Sequence, residues 1–366
     1  MVKLDVVRTA NAALADETKP FVAVVAGGTA GIGAATVREL ATTFAGRGSG
    51  DGSRSFLRVY IIGRNREAAQ KIVTECETVC PGGVFRFCKG DLSLLKEVDR
   101  VCAEIIGLEG REAAAIAGTP TKIDFLVCCQ GVLSFTSEET NEGLDKYFSL
   151  FYYSRMRLIE RFLPLLTTSP NDGHVVSVFN SSVQSSLVLD DLALRNPRKQ
   201  SLWKQFAHWV GMTNIFMEEL ARRNPGRLAL GHYHPGFVPT DIANSSNFPW
   251  YLKLLLKYVI TPLSWPFWVP LEECGQRVLF MASPARFPAR GFQGIATAVG
   301  KVEGVEVAVG IDGEIGSGAY LVTKDDDTFG KEKKYEELRA NGTAEKIYQH
   351  TMAVFAEIER GGVYKD

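Results

Sequence analysis

The chain has 366 residues, with 41 Lys and Arg against 42 Asp and Glu, and this near-neutral balance gives no reason to expect binding to nucleic acid. Hydrophobic residues make up 46% and charged residues 23%, which are ordinary values for a globular protein with a large core. The seven cysteines form an odd set without paired metal spacing, which favours a reducing compartment. The first residues lack the apolar run of a signal peptide, so we expect a cytoplasmic protein. We expect no membrane span, and the cysteine spacing predicts no metal site.

Residues 1–20 and 46–55 carry no motif. The first segment is polar and is expected to form a short helix or an N-terminal arm against the edge of the domain. The second is rich in Gly and Ser, which predicts an exposed loop between a helix and a strand. Neither segment is expected to take part in chemistry.

A glycine-rich stretch at 27–33 follows six apolar residues and precedes a helical pattern of apolar positions, so it reads as strand, turn and helix. Gly27 and Gly31 allow the backbone to approach a pyrophosphate, and Gly33 allows the helix to pack closely on the strand. Free N–H groups at the start of the helix attract the anion. The alternative is a structural turn without a ligand. The predicted contacts are Gly27, Thr29, Ala30, Gly31, Ile32 and Gly33.

The end of the second predicted strand, 58–62, indicates which nicotinamide cofactor fits. An acidic residue at this point would hold a ribose 2′-hydroxyl, whereas a guanidinium pairs with a 2′-phosphate. Arg64 stands there with Asn65 beside it, so the sequence favours NADP(H). The alternative is a surface arginine, because Arg66 shows that charge is common in this loop.

The spacing Gly27-x-x-x-Gly31-x-Gly33 resembles that of the short-chain dehydrogenase/reductase family, although Ala26 stands where the family usually has Thr. The resemblance implies an α/β fold, a doubly wound parallel sheet of Rossmann type, as one NAD(P)-binding domain over 1–366 with a C-terminal extension over 286–366. It covers roughly residues 21–285. Further strands are predicted over 84–89, 123–132, 174–182 and from 227, and helices over 67–80, 94–108, 140–166, 198–220, 271–282 and 344–360.

The resemblance also implies further cofactor contacts. The Asp-Leu pair after the third strand would cover the adenine, and Ser93 beside it is a plausible cap for the next helix. The glycine after the fourth strand is kept, and a Pro-Gly-x-Val-x-Thr segment after the sixth strand would cover the nicotinamide. These residues are Asp91, Leu92, Gln130, Gly131, Pro235, Gly236, Val238 and Thr240.

The catalytic pattern of the family is incomplete. Its substrate-binding serine falls on Asn180, and because an amide also donates to a carbonyl oxygen, this role is assigned to Asn180, Ser181 or Ser182. The Tyr-x-x-x-Lys pair is missing, since one register places it at Leu202 and Phe206.

A second register for the pair falls on Gln200 and Lys204, again without the tyrosine. His208 is then the titratable candidate for general acid work on this helix, and a buried structural histidine is the alternative. The family's relay asparagine falls on Phe151. Tyr320-x-x-x-Lys324 has the right spacing but an extended setting, and is treated as coincidental.

An aromatic and apolar segment, 243–270, occupies the place of the family's substrate lid and predicts a hydrophobic substrate. An interfacial membrane patch and a subunit contact are the alternatives. Tyr152 and Tyr153 are expected to pack in the core or to face the site. His232 and His234 share a strand face, but they lack the acidic or cysteine partners of a metal site.

The resemblance to the fungal branch of the family, with its Tyr-Tyr-Ser-Arg helix, implies an NADP(H)-dependent carbonyl reductase or alcohol dehydrogenase. Its substrate would be a small hydrophobic metabolite, and the resemblance to this branch points to secondary metabolism. The missing tyrosine leaves two alternatives open, a non-redox catalyst such as an isomerase, dehydratase or cyclase, and an NADP(H)-binding regulatory protein. The oligomeric state is left open, with a homodimer as one option.

Overall fold

The computed structural model describes residues 1–15, 20–46, 56–116, 118–132, 137–170, 172–181, 186–195, 200–240, 250–255, 258, 268–291, 302–330 and 333–365. Most of the predicted loop 46–55 and most of the predicted lid 243–270 therefore lie outside the described residues. Within those residues, no helix combines the length and the apolar character needed to cross a bilayer.

One eight-stranded sheet forms the centre of the described structure, with the strand order β3-β2-β1-β4-β5-β6-β7-β8. All neighbouring strands pair in parallel except β7 and β8, which are antiparallel. This arrangement confirms the doubly wound α/β fold. The strands are β1 Phe21–Ala26, β2 Leu57–Gly63, β3 Val84–Lys89, β4 Phe125–Cys128, β5 Gly173–Val178, β6 Leu228–Tyr233, β7 Ala319–Val322 and β8 Thr328–Phe329.

Helices cover both faces of this sheet, so β1, β2, β4, β5, β6 and β7 are buried along their whole length. This burial explains their continuous apolar runs. The helices are α1 Leu4–Leu14, α2 Gly31–Thr43, α3 Arg66–Val79, α4 Leu95–Ala114, α5 Lys146–Phe148, α6 Ser154–Leu166, α7 Leu202–Arg223, α8 Trp250–Leu255, α9 Leu271–Phe280, α10 Lys333–Ala340 and α11 Thr343–Glu359.

The single helix predicted over 140–166 is interrupted. Gly143 has a φ of 79°, and the helical backbone starts only after Asp145, whose carboxylate accepts the N–H groups of Tyr147 and Phe148. A π-helical segment, Ser149–Tyr153, then joins α5 to α6. The apolar spacing predicted the helix correctly, but it could not show the wider turn, which changes which side chains face the sheet.

The N-terminus of α4 is capped by a distant residue rather than by Ser93. Both oxygens of the Glu142 carboxylate accept backbone N–H groups, from Leu95 at 2.6 Å and Lys96 at 2.9 Å. Ser93 instead donates to the carboxylate of Asp91 at 2.8 Å. The predicted cap was therefore wrong, because a charged acceptor from the next crossover outcompetes the local hydroxyl.

The C-terminal helix α11 packs behind the segment that joins α5 to α6. The hydroxyl of Tyr152 is 2.6 Å from Oγ1 of Thr351, and that of Tyr153 is 2.8 Å from Nε2 of His350. Both tyrosines are fully buried. They are therefore core residues with satisfied hydroxyls, facing the C-terminal extension.

Asp172 should make the stability of the protein depend on pH. It is buried just before β5 with a φ of 65°, and its carboxylate accepts the N–H of Ala289 at 3.1 Å. Desolvation by burial raises the pKa of this carboxyl to about 6. Since the folded state holds the proton more tightly, the contribution to stability is present below the unfolded pKa of about 4 and is lost as the pH rises through about 6.

We expect Asp172→Asn to remove this dependence, because asparagine tolerates the left-handed backbone and its amide oxygen still accepts the Ala289 N–H. The difference in unfolding free energy between variant and wild type should increase by roughly 2 kcal/mol from pH 4 to pH 7 in favour of the variant. Urea unfolding across this range measures it. A difference that does not change with pH would refute the assignment.

Candidate functional site

The candidate site lies where the strand order reverses, at the carboxyl ends of β1 and β4. Gly27 follows β1 with a φ of 77°, and a Cβ atom there would come within 2.8 Å of the backbone of Cys129 and Gln130 after β4. A doubly wound sheet opens a crevice at such a point. Gly27 keeps the two chain segments in close contact at the base of this crevice.

The turn from β1 into α2 is compact enough to require its glycines. Gly31 has a φ of 53°, and a Cβ atom on Gly33 would lie 2.4 Å from the carbonyl oxygen of Gly27. No side chain among the described residues caps the start of α2, whereas Asn65 caps α3 and Ser201 caps α7. The first N–H groups of α2 are thus available to an anion from outside the chain.

Two further loops border the glycine turn. A Cβ atom on Gly63, at the end of β2, would meet Thr29 at 2.6 Å, and the exposed Arg64 follows directly. After β6, the methyl group of Thr240 would lie 3.3 Å from a Cβ atom on Gly31. The structure therefore brings the ends of β2 and β6 to the turn that follows β1.

The remaining predicted cofactor contacts differ in their surroundings. Asn65 uses its side chain to cap α3, and Asp91 is half-buried, while Leu92 belongs to the core. After β6, Pro235 is buried, Val238 is half-buried, and Gly236 has a φ of 72°. Ala30 is exposed and Ile32 is half-buried on the glycine turn.

A buried arginine joins the ends of β4 and β5. Arg155 donates to the backbone carbonyls of Gln130 at 2.7 Å and Val178 at 2.9 Å and to the hydroxyl of Ser177 at 2.8 Å. Desolvation lowers its pKa, and none of these partners is a carboxylate. Gln130 donates to Ser154, but its Oε1 is buried without a partner in the described part of the chain.

Aromatic rings fill the space between the π-helical segment Ser149–Tyr153, the end of β5 and α7. The ring centroids of Phe151 and Phe179 are 4.5 Å apart, and those of Phe179 and Phe206 are 4.6 Å apart. The exposed Trp203 continues the series, 6.1 Å from Phe206. We refer to Phe151, Phe179, Phe206 and Trp203 as the aromatic column. The guanidinium of Arg155 lies 5.8 Å from the first ring and 5.5 Å from the second.

Comparison with known proteins explains this geometry. The short chain dehydrogenase family matches residues 21–189. Oxidoreductase AN1596 of Emericella nidulans is 36% identical to the chain, over 96% of this chain and 97% of that protein. The short-chain dehydrogenase/reductase SAT2 of Stachybotrys chartarum is 33% identical over 98% of each. The chain belongs to the short-chain dehydrogenase/reductase family.

The fold agrees with this membership. A short-chain type dehydrogenase/reductase from Mycobacterium ulcerans superimposes with a TM-score of 0.52 over 88% of this chain and 95% of that one, at 13% identity. Membership of this family indicates an oxidoreductase with a nicotinamide cofactor. The uncapped start of α2 and the glycine cradle fit such a dinucleotide.

The positions that would form the family's proton relay are mostly apolar in this chain. Phe151 stands for the relay asparagine, and Leu202 and Phe206 stand for Tyr and Lys in the first register. Phe151 and Phe206 both belong to the aromatic column. In this register, the resemblance therefore assigns two rings of the aromatic column to relay positions.

The candidate catalytic residues differ in their exposure and hydrogen bonding in the structure. Asn180 is half-exposed at the end of β5, Ser181 is buried and donates to the carbonyl of Val322 at 2.8 Å, and Ser182 lies outside the described residues. Lys204 is exposed on the first turn of α7. Of these, Asn180 fits best as a donor to a substrate carbonyl.

His208 is a buried structural histidine, which was the alternative to a general acid. It is fully buried, its Nδ1 accepts the N–H of Val188 at 3.0 Å, and its Nε2 is 3.1 Å from the carbonyl of Leu192. Desolvation lowers its pKa to about 4. Because the backbone occupies both ring nitrogens, neither is available to a substrate, and we do not assign His208 a role in proton transfer.

Two features of the site were not predicted from the sequence. The Tyr-Tyr-Ser-Arg motif was noticed, but nothing in the spacing showed that its arginine would join two strand ends. The sequence shows the apolar replacements at Phe151 and Phe206 separately, and their stacking through Phe179 depends on the π-helical segment and α7 facing each other. Among the described residues, no group of three His, Cys, Asp or Glu could hold a metal ion.

Proposed function

We propose that the chain is an NADP(H)-dependent oxidoreductase, a carbonyl reductase or alcohol dehydrogenase that acts on a small hydrophobic metabolite. The observation that carries the choice of cofactor is Arg64, exposed at the end of β2 beside the loop that contains Thr29. In this position a guanidinium pairs with the 2′-phosphate, which NAD(H) lacks. The chain offers no acidic residue between Gly63 and Arg66 to hold a 2′-hydroxyl instead.

The substrate class rests on the apolar lining. The aromatic column reaches the surface at Trp203, which is 68% exposed, and the half-exposed Asn180 lies at the end of the same strand that leads to Phe179. A hydrophobic substrate would pack on the rings, while the amide of Asn180 donates to its oxygen. A role in secondary metabolism follows from the fungal branch that the chain resembles. All seven cysteines are free, which supports a cytoplasmic location.

Arg64→Ala should weaken the binding of NADPH by about 1.5–3 kcal/mol and leave that of NADH nearly unchanged. The measurement is a titration of each reduced cofactor, followed by its fluorescence. Arg66→Ala is the matched control, because Arg66 is also exposed but lies 5.8 Å from the Phe87 ring. Equal affinity of wild type and Arg64→Ala for NADPH would remove the proposed preference for NADP(H).

A second candidate is a non-redox catalyst on the same fold, such as an isomerase, dehydratase or cyclase. The aromatic column favours it, since rings occupy positions that serve proton transfer in the family. Incubation of the purified protein with NADPH or NADP⁺ and a panel of carbonyls and alcohols separates the two. Change in nicotinamide absorbance supports the oxidoreductase, and cofactor binding without any such change favours the non-redox candidate.

A further inference from the structure

A reductase of this family must exchange a proton with its substrate, and the resemblance places Phe151, Leu202 and Phe206, which cannot do so, at the relay positions of the first register. Titratable side chains do stand on the other side of Asn180, at the ends of β6 and β7. His234 follows β6, and Lys324 follows β7. Both residues are near the predicted nicotinamide segment that begins at Pro235.

Backbone hydrogen bonds fix His234 beside the end of β5. The N–H of Phe179 donates to the carbonyl of Tyr233 at 3.0 Å, and the N–H of His234 donates to the carbonyl of Val322 at 2.8 Å. His234 therefore lies between the strand end that carries Asn180 and the strand end that carries Lys324. His232, two positions earlier and within β6, bonds the amide of Asn214 in α7 through its Nδ1.

The imidazole of His234 differs from those of His208 and His232 in its burial and its hydrogen bonding. Its side chain is half-buried, and within the described part of the chain its Nδ1 has no hydrogen-bond partner. His232 is almost fully buried and stacks on the ring of Phe179 at 6.3 Å. A buried polar atom without a partner calls for an explanation, and a substrate hydroxyl would satisfy it.

The charged groups beside His234 are Lys324 and Asp325, which form an ion pair at 2.9 Å. Lys324 comes from the loop after β7, and a Cβ atom on Gly236 would lie 2.8 Å from its Cδ. His232 lies on the same strand, and its pKa is lowered by burial and by the charge of Arg155 in α6. Burial lowers the pKa of His234, the nearby Phe179 backbone partly opposes this shift, and the charge of Lys324 lowers the pKa further. The imidazole is therefore neutral at pH 7 and has a lone pair to accept a proton.

We propose that His234 exchanges the proton with the substrate in this enzyme, in place of the absent tyrosine, with Asn180 donating to the substrate oxygen; this inference rests on the proposed oxidoreductase function. In alcohol oxidation the O–H bond breaks and its proton bonds to the imidazole, while the O–H electron pair forms the second C–O bond. The hydrogen on carbon leaves with its electron pair to NADP⁺, the oxidant. Carbonyl reduction is the reverse and uses the imidazolium.

The pH dependence follows from these two directions. Reduction needs the protonated imidazole, so its rate should fall as the pH rises above the pKa of His234, which lies below the ordinary histidine value. Oxidation needs the neutral imidazole, so its rate should fall as the pH drops through the same pKa. A merely structural histidine would not give opposite dependences in the two directions.

The test compares His234→Gln and His234→Asn with His350→Gln, which changes a histidine on the distant helix α11. We expect kcat to fall by about a hundredfold or more in both His234 variants, with NADPH affinity within about twofold of wild type. The opposite pH dependences of reduction and oxidation should also disappear in both variants. Thermal unfolding of each variant distinguishes a lost proton-transfer group from a lost fold, and the two amides keep a hydrogen-bonding group at either ring position.

A second readout needs no turnover. Diethyl pyrocarbonate acylates accessible neutral imidazoles, and the modified peptides are identified by mass spectrometry with and without NADP⁺. His234 should be labelled in the free protein and protected by NADP⁺, while the labelling of His350 stays the same. Equal labelling of His234 in both samples would place it outside the cofactor site and overturn the inference.

The outcomes separate this inference from the proposed function. If the wild type turns over and His234→Gln retains its kcat, the inference is wrong and the oxidoreductase function stands. If the wild type binds NADPH but neither reduces nor oxidises any compound of the panel, the proposed function fails and the inference falls with it.

Discussion

Gly33→Ala should weaken NADPH binding by more than about thirtyfold, roughly 2 kcal/mol or more. The added Cβ atom would lie 2.4 Å from the carbonyl oxygen of Gly27 and 2.9 Å from its carbonyl carbon, so the backbone of the turn must move. That movement separates the start of α2 from β1 and misaligns the N–H groups that face the pyrophosphate. Fluorescence titration with NADPH measures the loss.

The matched control for this substitution is Gly110→Ala. Gly110 lies inside α4, and a Cβ atom there would meet no heavy atom within 4 Å. Alanine at a helical position adds up to about 1 kcal/mol of stability relative to glycine. We therefore expect normal NADPH affinity and a slightly higher melting temperature for the control. Normal affinity in Gly33→Ala would show that the tight turn does not position the cofactor.

Glu109→Gln should lower the free energy of unfolding by about 3–5 kcal/mol, because it leaves a buried guanidinium without its counter-charge. Arg58 of β2 and Glu109 of α4 are fully buried and share two hydrogen bonds, of 2.9 and 2.6 Å. The hydroxyl of Tyr60 donates to the same carboxylate at 2.9 Å. Desolvation raises the pKa of this phenol, so it remains a donor at all physiological pH values. Urea unfolding measures the change.

Two controls show whether the charge is responsible. Glu112→Gln breaks the partly exposed pair of Glu112 with Arg86 and should cost less than about 1 kcal/mol. The double variant Arg58→Met with Glu109→Leu removes both charges and should recover most of the stability lost by Glu109→Gln. If Glu109→Gln unfolds at the same urea concentration as wild type, the buried pair does not hold α4 on β2.

The cofactor half of the fold was accessible from the sequence because its signals are local. Six apolar residues that end at a glycine turn indicate a doubly buried strand, and β1 coincides with them, as β3 coincides with the predicted strand 84–89. Arg64 directly follows the second strand in the sequence, whatever the position of that strand in the sheet. The pairing order of the strands came from the family resemblance rather than from any local pattern.

The catalytic half was less accessible because it depends on which elements meet. The sequence shows a phenylalanine at 151 and another at 206, but their stacking through Phe179 requires the π-helical segment, the end of β5 and α7 to converge. The cap of α4 likewise comes from Glu142, 47 positions from Leu95. His234 was considered only as a metal ligand, since its neighbours Asn180 and Lys324 are far away along the chain.

The contact between Tyr152 and Thr351 spans 199 positions of the chain. A ribosome that adds about 5–20 residues per second needs roughly 10–40 s between the synthesis of its two sides. During this time β1, β2 and β3 can already pair, while the π-helical segment lacks its support from α11. The burial of Tyr152 and Tyr153 is thus completed late in biosynthesis, and until then these rings are open to chaperones and to aggregation.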